Sequence, residues 1–176
     1  MENLPREGGY VLAAGHVSNL DPWALGLEIW PKRCLRFMGK SELFWFPLSL
    51  IISGVGAFKV NRGRADYEAI ETAVTLARNG NVIAMFPEGT RRKKGLRKKY
   101  EAHAHTGAAR IALEAGVPLV PAGIKGTDGL RRLAAWRVVY GAPIDIDDLR
   151  GQEMTEAARV ATDRLMVAIH QLEESL

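Results

Sequence analysis

A histidine and an aspartate lie five positions apart in Gly15-His16-Val17-Ser18-Asn19-Leu20-Asp21-Pro22, and their types are those of a base and its orienter. A neutral imidazole is suited to taking a proton near neutral pH. A carboxylate on its other nitrogen fixes the tautomer and stabilises the imidazolium that forms. For Asp21 there is also a purely structural role, as the N-cap of a helix that begins at Pro22, and the two roles are compatible. A second polar cluster is Pro87-Glu88-Gly89-Thr90-Arg91, where a carboxylate, a flexible glycine, a hydroxyl and an arginine follow one another. A third is Arg62-Gly63-Arg64, whose guanidinium groups suit a phosphate, although a solvated turn would have the same composition.

The elements around these clusters place the first two at one edge. Tyr10-Val11-Leu12-Ala13-Ala14 is a short apolar run ending at Gly15 and reads as a buried strand. Asn81-Val82-Ile83-Ala84-Met85-Phe86 is a second such run, expected of a central parallel strand covered on both faces. Each polar cluster therefore follows the carboxyl end of a strand, where open α/β sheets place their ligand crevices. Between them, residues 57–64 read as a short strand running into a turn. Asp66 opens a helix in which Ala69, Ile70, Ala73, Val74 and Ala77 recur at helical spacing before a stop at Gly80. A further helix is expected from Thr106 to Ala115, stopped by Gly116. The stretch Val117-Pro118-Leu119-Val120-Pro121-Ala122-Gly123-Ile124 reads as a strand near an edge or ending in a bulge, because its prolines lack ladder donors. A strand at 136–140 and a long amphipathic helix from about Thr155, with Ala161, Leu165, Ala168, Ile169 and Leu172 on its inner stripe, complete the chain. The expectation is a single α/β domain over residues 1–176, with a central mostly parallel sheet flanked by helices.

Composition narrows the partners. At 176 residues and 47% hydrophobic content, the chain is long enough for one full core. Seven of its 24 basic residues fall within residues 91–99, and without them acidic residues are in excess, so the basic character is local. That pattern suits a loop facing something anionic rather than a nucleic-acid-coating surface. Residues 43–58 form the most apolar segment, but Pro47, Gly54 and Gly56 interrupt it and it falls short of the roughly 18 to 20 residues that span a bilayer. It reads as a buried helical or irregular element. The alternative is a surface that dips into a lipid interface or accepts an acyl chain, which exposure of Trp45 and Phe46 would favour. The N-terminus resembles neither a signal peptide nor a membrane anchor, so a cytoplasmic start is expected. Cys34 is the single cysteine and reads as a small buried hydrophobe. No metal is expected, because His103 and His105 do not share a helix face and have no third ligand nearby.

The order His16-x4-Asp21, Gly56-Ala57-Phe58-Lys59-Val60-Asn61-Arg62-Gly63, Phe86-Pro87-Glu88-Gly89-Thr90-Arg91 and Val117-Pro118-Leu119-Val120-Pro121-Ala122 resembles the four blocks of the glycerolipid acyltransferases. It departs from them at Gly15, where many relatives carry Asn, and in beginning just before the first block. The resemblance implies a glycerol-3-phosphate acyltransferase-like fold. It also implies acyl transfer from acyl-CoA or acyl carrier protein to the free hydroxyl of 1-acylglycerol-3-phosphate, giving phosphatidate. Other lysolipid or hydroxyl acceptors remain open, as do a thioesterase-like hydrolase and a non-catalytic binder of anionic membranes. It further implies that His16 is the base, Asp21 its support, and Arg62 and Arg91 the ligands of the acceptor phosphate. Glu88, Gly89 and Thr90 would shape that pocket, and Lys59 would add positive field. No cofactor is implied beyond the acyl donor, and the expected partners are the lysophospholipid and, peripherally, the cytoplasmic face of an anionic membrane.

Overall fold

The computed structural model describes residues 2–33, 35–40, 56–60, 66–89, 104–128 and 135–176. Six strands are present among them: β1 (Tyr10–Ala14), β2 (Leu35–Lys40), β3 (Ala57–Val60), β4 (Val82–Met85), β5 (Leu119–Lys125) and β6 (Arg137–Tyr140). They form one sheet in the order β3-β2-β4-β1-β5-β6. β1 to β5 run parallel, and β6 pairs antiparallel with β5. The helices are α1 (Asp21–Leu27), α2 (Asp66–Arg78), α3 (Gly107–Ala115) and α4 (Met154–Glu174). The expected α/β class with a mostly parallel central sheet is thus the one observed.

β1 is central, and its residues are buried on both sides, which is why its sequence is continuously apolar rather than alternating. Successive side chains point to opposite faces. Val11 and Ala13 join a core with Ala73 and Ala77 of α2, Ile111 of α3, and Ala161, Leu165 and Ile169 of α4. Tyr10, Leu12 and Ala14 join a second core with Ala24 and Leu25 of α1, Ile29 and Tyr140. The buried Tyr140 hydroxyl donates to the Leu25 carbonyl at 2.9 Å, tying α1 to the edge strand. α4 crosses so close to β5 that a Cβ on Gly123 would lie 2.9 Å from the Leu172 carbonyl carbon. Helix α4 is capped by Glu153, whose carboxylate accepts from the N–H groups of Thr155 and Glu156.

β5 is the penultimate strand, flanked by β1 and the edge strand β6, and so lies near an edge as its prolines suggested. Its prolines fit because of where their missing donors fall. The Pro121 carbonyl accepts from Gly141 N–H at 2.9 Å, so its nitrogen also faces β6, where the ladder starts only at the Ala122–Tyr140 pair. β2 was not expected at all. Of the apolar segment at 43–58, residues 43–55 lie outside the described residues, as do Cys34 and His103, and Phe58 belongs to β3. No helix among the described residues is long and apolar enough to cross a membrane.

Candidate active site

The register of the sheet brings three strand ends level. Ala13 of β1 lies opposite Met85 of β4 on one side and Pro121 of β5 on the other. His16 therefore leaves β1 beside Phe86 leaving β4, and the two rings stack with centroids 4.3 Å apart and planes 21° apart. The stack fixes the plane of the imidazole, whose side chain is 18% exposed.

The His16 Nδ1 lies 2.8 Å from Asp21 Oδ2. The same oxygen accepts from the backbone N–H of Val17 at 2.7 Å and of Ser18 at 2.8 Å. The other oxygen, Oδ1, accepts from the hydroxyl of Thr127 at 2.5 Å. Asp21 is fully buried. Burial alone would push its carboxyl upward. The bonds from His16, the Ser18 N–H, Thr127 and the Val17 N–H outweigh that and hold it below the ordinary carboxylate value. An ionised, acceptor-only Asp21 requires the proton of the imidazole on Nδ1, which leaves the Nε2 lone pair to meet a substrate.

This geometry corrects the capping role. Asp21 is the first residue of α1 rather than its N-cap, a position taken by Leu20, and no side chain caps the helix. The carboxylate turns back along the chain, so Oδ2 holds the histidine and the loop that carries it while Oδ1 takes the Thr127 hydroxyl. Pro22, in the first turn, withholds no donor that the helix would have used.

The cluster after β4 forms a turn closed by Gly89 N–H to Phe86 carbonyl at 3.0 Å. Glu88 is buried and Gly89 is exposed, with Gly89 in the left-handed region at φ +64°. His105 N–H donates to the Pro87 carbonyl at 2.8 Å, and a Cβ on Gly89 would meet the His105 ring. Glycine is required there twice, by conformation and by space. Glu88 and Gly89 therefore sit on the turn that starts at the ring under His16. Lys59 belongs to β3, in register with Gly39, and β3 ends at the same sheet edge as β1. Arg62, Thr90 and Arg91 lie outside the described residues. Among the described residues no group of His, Cys, Asp and Glu could hold a metal ion.

Thr127 is the contributor that the sequence reading missed. Its signal was a hydroxyl just past Gly126, at the carboxyl end of the strand next to β1, but only the sheet order reveals that neighbourhood.

A parallel sheet with a carboxylate-held imidazole at its carboxyl edge is an α/β architecture with its polar site where such sheets bind ligands, and it carries a group suited to general-base chemistry. The acyltransferase family matches residues 1–125 of the sequence, and the chain belongs to that family. It is 30% identical over 181 residues to the 1-acyl-sn-glycerol-3-phosphate acyltransferase of Bacillus subtilis (strain 168), covering 99% of this chain and 86% of that one. It is 32% identical over 119 residues to the human 1-acyl-sn-glycerol-3-phosphate acyltransferase beta, covering 63% of this chain and 39% of that protein. The crystal structure of the 1-acyl-sn-glycerophosphate acyltransferase PlsC from Thermotoga maritima shares the fold. Its TM-score is 0.66 at 23% identity, over 98% of this chain and 69% of that one.

Proposed function

We propose that the chain transfers a fatty acyl group from acyl-CoA or acyl carrier protein to the free hydroxyl of 1-acylglycerol-3-phosphate, giving phosphatidate. The observation that carries this reading is the buried, fully bonded carboxylate on Nδ1 of His16, which leaves Nε2 as a base. Family membership and the names of the relatives supply the reaction class. Nε2 takes the proton of the acceptor hydroxyl as its oxygen attacks the thioester carbonyl carbon. The C–S bond then breaks, and the departing thiolate takes the proton from the imidazolium. No cofactor enters beyond the donor. Arg62 and Arg91 are the proposed ligands of the acceptor phosphate, Glu88, Gly89 and Thr90 shape its pocket, and Lys59 adds attraction.

The test is acyl transfer from a long-chain acyl-CoA to 1-acylglycerol-3-phosphate by purified protein, with product identified by mass, beside His16→Ala. Phosphatidate from the wild type and a loss of about 10² to 10⁴ in the variant are expected. A folded His16→Ala with near wild-type turnover refutes the base assignment. Free fatty acid formed equally with and without lysolipid indicates a hydrolase instead.

The acceptor is an amphiphile, so the enzyme has to meet it at a lipid surface, and peripheral binding to the cytoplasmic face of an anionic membrane is part of the proposal. Supporting it, Trp23, Leu27 and Trp30 are 48%, 62% and 69% exposed. At spacings of four and three they line the outer side of α1 and its continuation, on the helix that begins with Asp21. Tryptophan favours the headgroup region. Co-sedimentation with anionic vesicles, reduced in Trp23→Ala/Trp30→Ala, is expected. Absence of binding at both low and high salt refutes it.

A further inference from the structure

We propose that Thr127 is a positioning residue for acyl transfer, holding the Asp21 carboxylate in the plane that keeps His16 Nδ1 bonded while Nε2 works. This rests on the reading of His16 as the base.

The three donors on Oδ2 all come from residues 16–18 of one loop. They fix where that oxygen is, but a carboxylate held at one oxygen can still swing about it. The Thr127 hydroxyl is the hydrogen bond that holds Oδ1, and it comes from a segment 106 positions away in the chain. Its bond spans from the exit of β5 to the start of α1 and sets the carboxylate plane. Thr127 is itself 1% exposed and cannot reach solvent for another partner. Gly126 before it adopts φ +92°, and a Cβ there would lie 2.5 Å from the Ala135 carbonyl oxygen, so the backbone that presents the hydroxyl is tightly placed. Without that hydroxyl, Oδ1 becomes a buried anionic oxygen lacking its donor, and the carboxylate turns to find one at the expense of His16.

The experiment compares wild type, Thr127→Val and Thr127→Ser in steady-state acyl transfer and in the downfield proton spectrum of the His16 imidazole N–H. Valine keeps the shape and removes the donor, whereas serine keeps the donor. Thr127→Val is expected to lower kcat about 10- to 100-fold. KM for donor and acceptor should stay within about twofold, because Thr127 touches neither. Thr127→Ser should recover most of the rate. The imidazole N–H resonance should shift or broaden in Thr127→Val and return in Thr127→Ser. Thr127→Ala takes the place of the valine variant if that one does not fold. A folded Thr127→Val that keeps at least half of the wild-type kcat overturns the proposal. So does a loss equal in the serine variant and accompanied by a raised KM, which would mark a general structural defect. If wild type itself transfers no acyl group to lysophosphatidate, the substrate reading fails, while the resonance still reports whether Thr127 holds the Asp21–His16 bond.

Discussion

Replacing Asp21 by Asn isolates the charge of the carboxylate from its shape. Every group around Asp21 is a donor: His16 Nδ1, the Val17 and Ser18 N–H groups and the Thr127 hydroxyl. In Asp21→Asn the amide oxygen takes the place of Oδ2 and keeps the bonds from residues 16–18. The amide nitrogen then faces Thr127, whose hydroxyl can turn to accept. The loop survives, and the lost quantity is the negative charge beside the imidazolium that forms as the acceptor hydroxyl is deprotonated. At the observed 2.8 Å separation and an effective dielectric of about 20, that attraction is about 6 kcal/mol. At about 1.36 kcal/mol per power of ten, this caps the loss near 10⁴. His16 is 18% exposed, and water screens part of the charge, so a loss of about 10³ in kcat is expected. KM should change little, because the missing interaction is with the charge that develops on the imidazole in the transition state. The assay is release of the thiol from acyl-CoA in the presence of lysophosphatidate, on protein whose circular dichroism matches wild type. A folded Asp21→Asn that retains more than a tenth of wild-type kcat refutes the idea that this carboxylate supports the imidazolium.

Three further outcomes follow from the same geometry. Gly89→Ala has to adopt φ +64° and displace the His105 ring, which costs about 1–2 kcal/mol for the backbone alone; a fall in Tm of at least about 2 °C is expected, and an unchanged Tm would show that the turn is free to rearrange. Because the Asp21 carboxyl titrates below its ordinary 3.8 in the fold, its stabilising contribution is complete above the unfolded value and is lost as pH falls through the folded one. Urea midpoints measured from pH 6 down to 3 should therefore drop more steeply for wild type than for Asp21→Asn, and parallel curves would contradict this. Tyr140→Phe leaves the buried Leu25 carbonyl without its donor, and denaturant unfolding should register a loss of about 1–3 kcal/mol; no loss would mean that α1 is not anchored there.

The parts of this molecule that were legible in its sequence are those whose causes are local. β1 and β4 announce themselves as apolar runs because both of their faces are covered, and His16 and Asp21 are found because their contact closes within six residues. β2 was illegible. In Leu35-Arg36-Phe37-Met38-Gly39-Lys40, basic residues and a glycine break the apolar pattern, and the Arg36 guanidinium donates to Asn81 Oδ1, 45 positions away. β5 was legible as lying near an edge, because a proline's missing donor is visible in sequence, although the side of the strand it faces is not. Of the two roles read for Asp21, the contact with His16 is observed and the cap is not, because Asp-Pro at a helix start is ambiguous until the direction of the carboxylate is known. Thr127 needed the strand order.

Proposed base, ring platform and proposed positioning hydroxyl leave three adjacent strands, β1, β4 and β5, within a few residues of the row where Ala13 meets Met85 and Pro121. Side chains alternate between the faces of a sheet, so a slip of one residue in either pairing would move every core side chain to the wrong side. The register that packs Val11, Ile83 and Leu119 against the helices is therefore the register that puts Phe86 under His16 and Thr127 against Asp21. α1 couples the two requirements again, since it buries Leu25 beneath the sheet and begins at the carboxylate itself. The catalytic geometry is in this sense a by-product of core packing. The site needs only short loops after each strand, and the precision of the dyad is set by the same apolar contacts that stabilise the fold.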